Sequence, residues 1–346
     1  ARISLNLNAF FKGTVQVGHD NAAMDGFAFR FADLPLDRRM AVVGRIAAGH
    51  PLATPLPANK AVRIFTGGAR PMGADTVAMQ EDCEASDGFV LLPDHLREGA
   101  NRRLAGEGVA QGAFVLAAGH RLRPQDVGIA AAIGLARLCV RRRVRVAILA
   151  TGDELRAPGE PLPPGCIYDS NRHAIGAALR GLGAVVTDFG LVPDRFETIR
   201  DTLAVAAGNH DLVISSGGVS AGEEDLVRPA IVEIGTLDFW KLALKPGKPV
   251  AVGNIAGTPF IGLPGNPVSA MITFWLIARP LLQRLMGTTN LTPPRVPVIA
   301  DFRQRHAPGR REYLRVRVHR HDDGTFHAEN YRSTSSGMMS SLVWLG

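Results

Sequence analysis

The chain has 346 residues, 46% hydrophobic and 21% charged, with a formal net charge of +7. That is enough apolar material for more than one core, and it excludes a disordered or low-complexity chain. The 38 glycines and 23 prolines exclude a plain helical bundle, and three cysteines without CxxC spacing (Cys83, Cys139, Cys166) exclude a disulfide framework and a cysteine-based zinc site.

In chain order, residues 1–142 show short β-like runs at 40–46 and 61–65, punctuated by Gly and Pro, then a helix near 125–133. We read them as a β-rich, mixed region of two subdomains. Residues 143–288 alternate strand and helix instead. Strands are expected at 144–150, 184–189 and 212–215, with helices at 171–182 (Ser170 as N-cap, Gly183 just past the end) and 196–207. A helix follows at 224–234, short strands at 249–252 and 259–262, and a helix from Pro267 to about 285. This pattern predicts an α/β domain whose mainly parallel sheet is covered on both faces. Residues 289–346 read as a C-terminal β domain, with strands at 296–302 and 313–318. The uncharged stretch 249–278 could span a bilayer by length, but Pro259, Pro264 and Pro267 break it. It is assigned to buried strands and a helix. No leader is read at Ala1, and the odd, unpaired cysteines predict a reducing, cytoplasmic setting.

Charge is unevenly spread. Residues 143–288 carry 13 basic against 14 acidic side chains, so the positive excess lies on the flanks. No basic element is interleaved with aromatics, which weighs against nucleic acid and favours a small anionic ligand. Only five of the 39 basic residues are lysines, and three of those are Lys241, Lys245 and Lys248. Compact ammonium groups so close together suit a phosphate or another oxyanion.

Ligands of parallel α/β sheets bind beyond the carboxyl ends of the strands. Three loops leaving such ends carry chemistry here. Thr151-Gly152-Asp153-Glu154 puts two carboxylates beside a glycine turn. Ser215-Ser216-Gly217-Gly218-Val219-Ser220-Ala221-Gly222 is followed by Asp225, expected in a first helical turn. Leu263-Pro264-Gly265-Asn266-Pro267-Val268-Ser269 opens the long helix. Glycine turns leading into helices present backbone N–H groups to an anion. Glu154 and Asp225 would repel that anion unless a hard divalent cation lay between, and oxygen ligands point to Mg²⁺. Gly218 to Gly222 also matches GxSxG, with His306, His319, His321 and His327 downstream, but a serine hydrolase has no use for the second glycine pair or the lysines. The absence of GxxxxGK[ST], HExxH and GxGxxG removes the P-loop, zincin and dinucleotide-fold readings.

With Ala23-Met24-Asp25-Gly26, Arg63-Ile64-Phe65-Thr66-Gly67 and Lys245-Pro246-Gly247-Lys248-Pro249 added, six motifs stand in order over nearly the whole chain. In them the sequence resembles the molybdopterin molybdenumtransferase family, related to the C-terminal domain of gephyrin. The resemblance implies that residues 143–288 are a molybdopterin-binding α/β/α domain. It implies an enzyme that inserts molybdate into adenylylated molybdopterin and releases AMP, with Mg²⁺ as divalent cation. Members are homodimers, and the adenylyltransferase of the same pathway becomes a possible partner. By motif match, Asp225, Glu154, Asp194, Asp25 and Thr66 are catalytic, with Asp225 and Glu154 on the metal. Substrate binding falls to Gly217, Gly218, Ser220, Lys241, Lys245, Lys248, Pro264, Gly265, Asn266, Pro267, Ser269, Arg311 and Ser336. The alternative is a catalytically weak pterin-nucleotide-binding paralogue or scaffold on the same fold, motivated by Gly108 where the family usually carries Asp and by a C-terminal domain that, by the resemblance, is expected to stop short of its last strands.

Overall fold

The computed structural model describes residues 18–219, 225–306 and 308–345, without the side chains of Phe239 and Trp240. These residues group into two units, 18–139 and 140–345. In the first, β1 (Asn21–Ala22) pairs with β8 (Arg102–Arg103). Six further strands form one sheet: β2 (Gly26–Phe29), β3 (Arg39–Ile46), β4 (Lys60–Ile64), β5 (Thr76–Met79), β6 (Glu84–Ser86) and β7 (Phe89–Leu91), in the order β5-β2-β4-β3-β7-β6. Alternation sorts its apolar residues onto two faces. Ala28, Val62, Ile64 and Val77 build one core, and Phe27, Phe29, Ala61 and Ala78 the other. The expected helix is α1 (Pro124–Ala132).

The second unit is built on a six-stranded sheet. Its strands are β9 (Arg145–Thr151), β12 (Val185–Val192), β13 (Leu212–Ser216), β14 (Gly235–Lys241), β16 (Pro249–Ile255) and β17 (Thr258–Leu263), ordered β12-β9-β13-β17-β16-β14. The first four run parallel, and at one edge β16 is reversed, pairing antiparallel with both β17 and β14. A two-strand pair, β10 (Leu155–Arg156) and β11 (Ile167–Tyr168), follows β9. Strand β9 has six consecutive buried residues, the signature of a strand covered on both faces. Ala147, Leu149, Val213 and Phe260 face α3 (Phe196–Asn209) and α4 (Val227–Ile234). Val146, Ile148, Ile214 and Ile261 face α2 (Asn171–Gly181) and the helical run from Pro267 to Leu285. The fold is therefore α/β with a largely parallel central sheet, as expected, and the edge strand β14 is an addition.

Four local expectations are corrected. Ser170 is not a side-chain cap. It already has helical backbone angles, and Asp169 Oδ1 accepts the Arg172 N–H at 3.2 Å in its place. Helix α4 begins at Val227, so Asp225 precedes the helix and is not in its first turn. The run from Pro267 is α5 (Pro267–Thr273), a π-helical turn (Phe274–Ala278) and α6 (Arg279–Leu285). Pro280 has no N–H to bond back one turn, which is the kind of break that widens a helix. In the C-terminal part, the strands are β18 (Ile299–Ala300), β19 (Arg311–Glu312), β20 (Val316–Arg320) and β21 (Phe326–Asn330) with α7 (Ser340–Trp344), shorter than the alternation suggested. β19 pairs with β15 (Leu244–Lys245), and β18, β21 and β20 form a sheet in that order. The uncharged stretch forms β16, β17 and α5, and among the described residues no helix is long and apolar enough to cross a membrane.

Arg142, in the basic run Arg141-Arg142-Arg143, has a structural role. Its guanidinium forks onto Asp211 at 2.5 and 2.6 Å, and Asp211 also accepts the Arg145 N–H at 2.8 Å, fastening the starts of β9 and β13. These bonds hold the Asp211 carboxyl well below the usual carboxylate range, Arg142 first among the causes. A lowered folded-state pKa stabilises above the unfolded value of about 3.9 and is lost as pH falls below it. Asp211→Asn is therefore expected to cost about 1 kcal/mol at neutral pH, discounted because Arg142 is half exposed. The gap between variant and parent in urea midpoint should narrow progressively as pH falls below about 4 toward the lowered folded-state value; a gap independent of pH would remove the ion pair from the explanation.

Candidate active site at the carboxyl edge of the sheet

The four parallel strands end level. Thr151 is the register partner of Val192, and Ser216 is the partner of both Ala150 and Leu263. The loops after β9, β12, β13 and β17 therefore leave one edge together, bringing Glu154, Asp194, Gly217, Gly218 and Pro264 to Asn266 to the same side. Hydrogen bonds from backbone N–H groups tie these loops to each other. Asp153 Oδ1 accepts the Asp194 N–H at 3.4 Å, and Asp194 Oδ2 accepts the Asp153 N–H at 3.2 Å. The Gly217 N–H donates to the Leu263 carbonyl at 3.1 Å. Glu154 is exposed, and Asp194 and Asp225 are half-buried.

The glycine pair is required here by space as well as by conformation. Gly217 has φ +86° and Gly218 φ +65°, the left-handed region that costs other residues about 1–2 kcal/mol. A Cβ on Gly217 would lie 2.5 Å from the Thr151 carbonyl oxygen, and one on Gly218 would lie 2.4 Å from Val227 Cγ2. The turn therefore packs backbone against backbone beside β9. Next to it, the buried Thr151 hydroxyl and the buried Asn171 Oδ1 have no hydrogen-bond partner among the described residues. Buried polar atoms without partners are costly, so a polar ligand at this edge would find acceptors and donors waiting. Asn171 Nδ2 donates to the Gly265 carbonyl at 2.6 Å and so holds the loop that opens α5. Asn171 belongs to none of the motifs; its one signal in the sequence is its place at the start of a helix beside the strand ends.

Within that loop, Pro264 is buried and Gly265 and Asn266 are exposed; Pro267 is the first helical residue, and Ser269 is buried in the first turn. The Val268 N–H donates to the Ser336 carbonyl at 3.0 Å, which brings the C-terminal segment onto the start of α5. The three lysines lie on one excursion of the antiparallel edge. Lys241 ends β14, the Leu242 N–H donates to the Lys248 carbonyl at 2.9 Å, and Lys245 sits between them in β15. Lys241 and Lys248 are exposed. Lys245 Nζ stands 2.8 Å from Glu312 Oε1 on β19, next to Arg311. Gly247, at φ +112°, passes so near α5 that a Cβ would lie 2.6 Å from Thr273 Cγ2.

Asp25 and Thr66 belong to the other unit and meet each other there. Asp25 Oδ1 accepts both the Thr66 N–H and its hydroxyl at 2.7 Å, and these bonds hold the Asp25 carboxyl below its usual range. Gly26, next in the chain, lets β2 run between β4 and β5, since a Cβ there would fall 1.8 Å from the Ala78 oxygen. Ser220 lies outside the described residues.

The Lys245–Glu312 pair carries a testable consequence. The Glu312 side chain is only 7% exposed, so Lys245→Met strands a buried carboxylate. Because Lys245 is itself 44% exposed, the expected cost is about 1–2 kcal/mol, below the 3–5 kcal/mol of a fully buried pair. The Lys245→Met/Glu312→Gln double variant should recover most of it in a urea titration. A double variant as unstable as the single would place the loss elsewhere.

Comparison with known proteins identifies the family. Family models match in three consecutive segments: the "MoeA N-terminal region (domain I and II)" at residues 18–134, a "probable molybdopterin binding domain" at 147–284, and the "MoeA C-terminal region (domain IV)" at 297–344. Molybdopterin molybdenumtransferase of Haemophilus influenzae is 38% identical over 94% of this chain and 81% of its own. Molybdopterin molybdenumtransferase 2 of Mycobacterium tuberculosis is 38% identical over 88% and 78%. The crystal structure of the molybdopterin biosynthesis moeA protein from Pyrococcus horikoshii superposes with a TM-score of 0.77 at 27% identity, covering 94% of this chain and 81% of that one. The likeness extends over all three segments and over most of the length of the transferase relatives, and none of these relatives is named a serine hydrolase: the chain belongs to the molybdopterin molybdenumtransferase family.

Proposed function

We propose that this chain inserts molybdate into adenylylated molybdopterin, forming molybdenum cofactor and releasing AMP. The observation that carries the reading is the level ending of four parallel strands, with the Gly217–Gly218 turn closed on Thr151 and the carboxylates and the α5 entry leaving the same edge. The scaffold alternative has less support, because the transferase relatives match over most of their own length.

The chain's residues then divide the work by chemistry. Molybdate is a tetrahedral dianion, suited to the point charges of Lys241, Lys245 and Lys248 and to Arg311 beside them. The backbone N–H groups of Gly218, Gly265, Asn266 and Ser269 suit phosphate oxygens, while Gly217 and Val268 donate theirs to the Leu263 and Ser336 carbonyls to hold the turn and the loop in place, with Pro264, Pro267 and Ser336 shaping that entry. Ser220 is assigned to the same cradle. Glu154, Asp194 and Asp225 position the phosphoanhydride-like linkage and hold the attacking water. Mg²⁺ fits the oxygen donors of Asp225 and Glu154, and when bound it offsets charge developing on the cleaved phosphates. Asp25 and Thr66, locked to each other, are assigned to the N-terminal contribution. We further propose a homodimer, working in the cytoplasm and supplied with its nucleotide by the adenylyltransferase of the same pathway.

AMP release from adenylylated molybdopterin, measured by chromatography with Mg²⁺ and with or without molybdate, tests the activity. Molybdate-dependent release is the expected result. Bound nucleotide without release would return the chain to the non-catalytic reading.

A further inference from the structure

The C-terminal sheet gathers histidines that the reaction above does not use. His319 lies in β20 and His321 stands two positions on, so both fall on one face. His327 of β21 is the register partner of His319 across the ladder. On the other side of β21, Ile299 is the partner of His327, and Asp301, two residues further, returns to that same face. The Asp301 N–H donates to the Ala328 carbonyl at 3.0 Å and holds the position. The outcome is a cluster in which one ligand atom each of Asp301, His319 and His321 lies within 4.8 Å of the others, all three residues exposed.

The carboxylate between them is already oriented. His327 Nδ1 donates to Asp301 Oδ1 at 2.7 Å, which leaves Oδ2 turned toward His319 Nε2, 3.6 Å away. His327 is fixed in turn: its Nε2 is 3.0 Å from the Thr325 hydroxyl, and Thr325 donates to Asp323 at 2.6 Å. The rings of His321 and His327 stack at 3.8 Å with 8° between their planes, so His321 has a defined plane as well. Two imidazoles and one carboxylate, with that carboxylate held by a further histidine, form a first and an outer ligand shell.

We propose that Asp301, His319 and His321 form a binding site for a borderline transition-metal dication of the Zn²⁺ class, with His327 as its positioning residue. Imidazole donors select against Mg²⁺ and Ca²⁺ and toward Zn²⁺ and its neighbours. With bonds of about 2.0–2.1 Å, tetrahedral ligand atoms stand roughly 3.4 Å apart, and exposed side chains cover the difference by small rotations about χ1 and χ2. The remaining coordination positions face water. The site joins the segment after β18 to the β20–β21 hairpin, so the ion acts as a clip on this small sheet.

The full-length chain, stripped with a chelator, is titrated with Zn²⁺ by calorimetry and with Co²⁺ by visible absorption. Saturable binding of a single equivalent is expected, with cobalt d–d bands of a nitrogen and oxygen site. His319→Gln and His321→Gln should each weaken binding at least about tenfold and alter those bands. His327→Gln leaves the ligands in place, so it should weaken binding by about 10- to 100-fold while the band pattern persists. His306→Gln, outside the cluster, should change neither. Circular dichroism of each variant verifies the fold. No saturable binding, or binding indifferent to both His319→Gln and His321→Gln, overturns the site. Neither measurement involves nucleotide or molybdate, so this result stands apart from that of the AMP assay.

Discussion

Asp225→Ala is expected to lower molybdate-dependent AMP release by about 10³-fold while the protein stays folded. Asp225 comes before α4, outside the helix, and α4 is held to the sheet by Val227, Ala230 and Ile231. Removing the carboxylate leaves those apolar contacts intact, so the change in stability should stay within about 1 kcal/mol. Asp225→Asn sharpens the test, since it keeps the shape and removes the charge. If the carboxylate holds the cation, both variants lose turnover together. Turnover preserved in Asp225→Asn would make the role one of shape, and turnover preserved in both would end the assignment.

Gly217→Ala should be a strongly damaging small change, because a strained backbone and a close approach coincide there. The left-handed backbone alone costs about 1–2 kcal/mol, and crowding adds about 1–3 kcal/mol. The crowding cannot relax cheaply, because the opposing atom is the Thr151 carbonyl oxygen, part of the backbone at the end of β9. Gly217 is also bonded to Leu263, so pushing it away from β9 disturbs the exit of β17 too. Gly257→Ala provides the comparison: its φ is +90°, but nothing lies within 4 Å of the added carbon. In urea titrations Gly217→Ala should lose about 3 kcal/mol or more and Gly257→Ala only the conformational part. Nucleotide binding should be lost in the first and kept in the second. Equal losses would mean that φ, and not the approach to Thr151, sets the demand for glycine.

Much of this architecture was legible because its causes are local. Continuous apolar strands, Pro267 at a helix start and Gly183 beyond a helix end act over a few residues, and each is found where the sequence places it. The glycine turn and the lysine cluster were legible for the same reason. What escaped the sequence depended on distant partners. Strand β14 contains Gly, Asp and Lys within seven residues, and only its pairing with β16 makes it a strand. The cap of α2 passed from Ser170 to Asp169, whose carboxylate also anchors the buried Arg172.

The candidate site divides in the same way. The sequence by itself determined which groups are available: carboxylates, lysines and glycine-rich turns at the ends of strands, each in its own loop. Only the tertiary structure decided that those loops share one edge, because strand register is set by pairing between segments tens of residues apart. It likewise decided that Lys245 reaches a buried Glu312, and that Asp301 meets His319 of β20 and His321 just past its end. Neither contact has a local signal, since each forms only when β19 and β18 dock against strands distant in the chain.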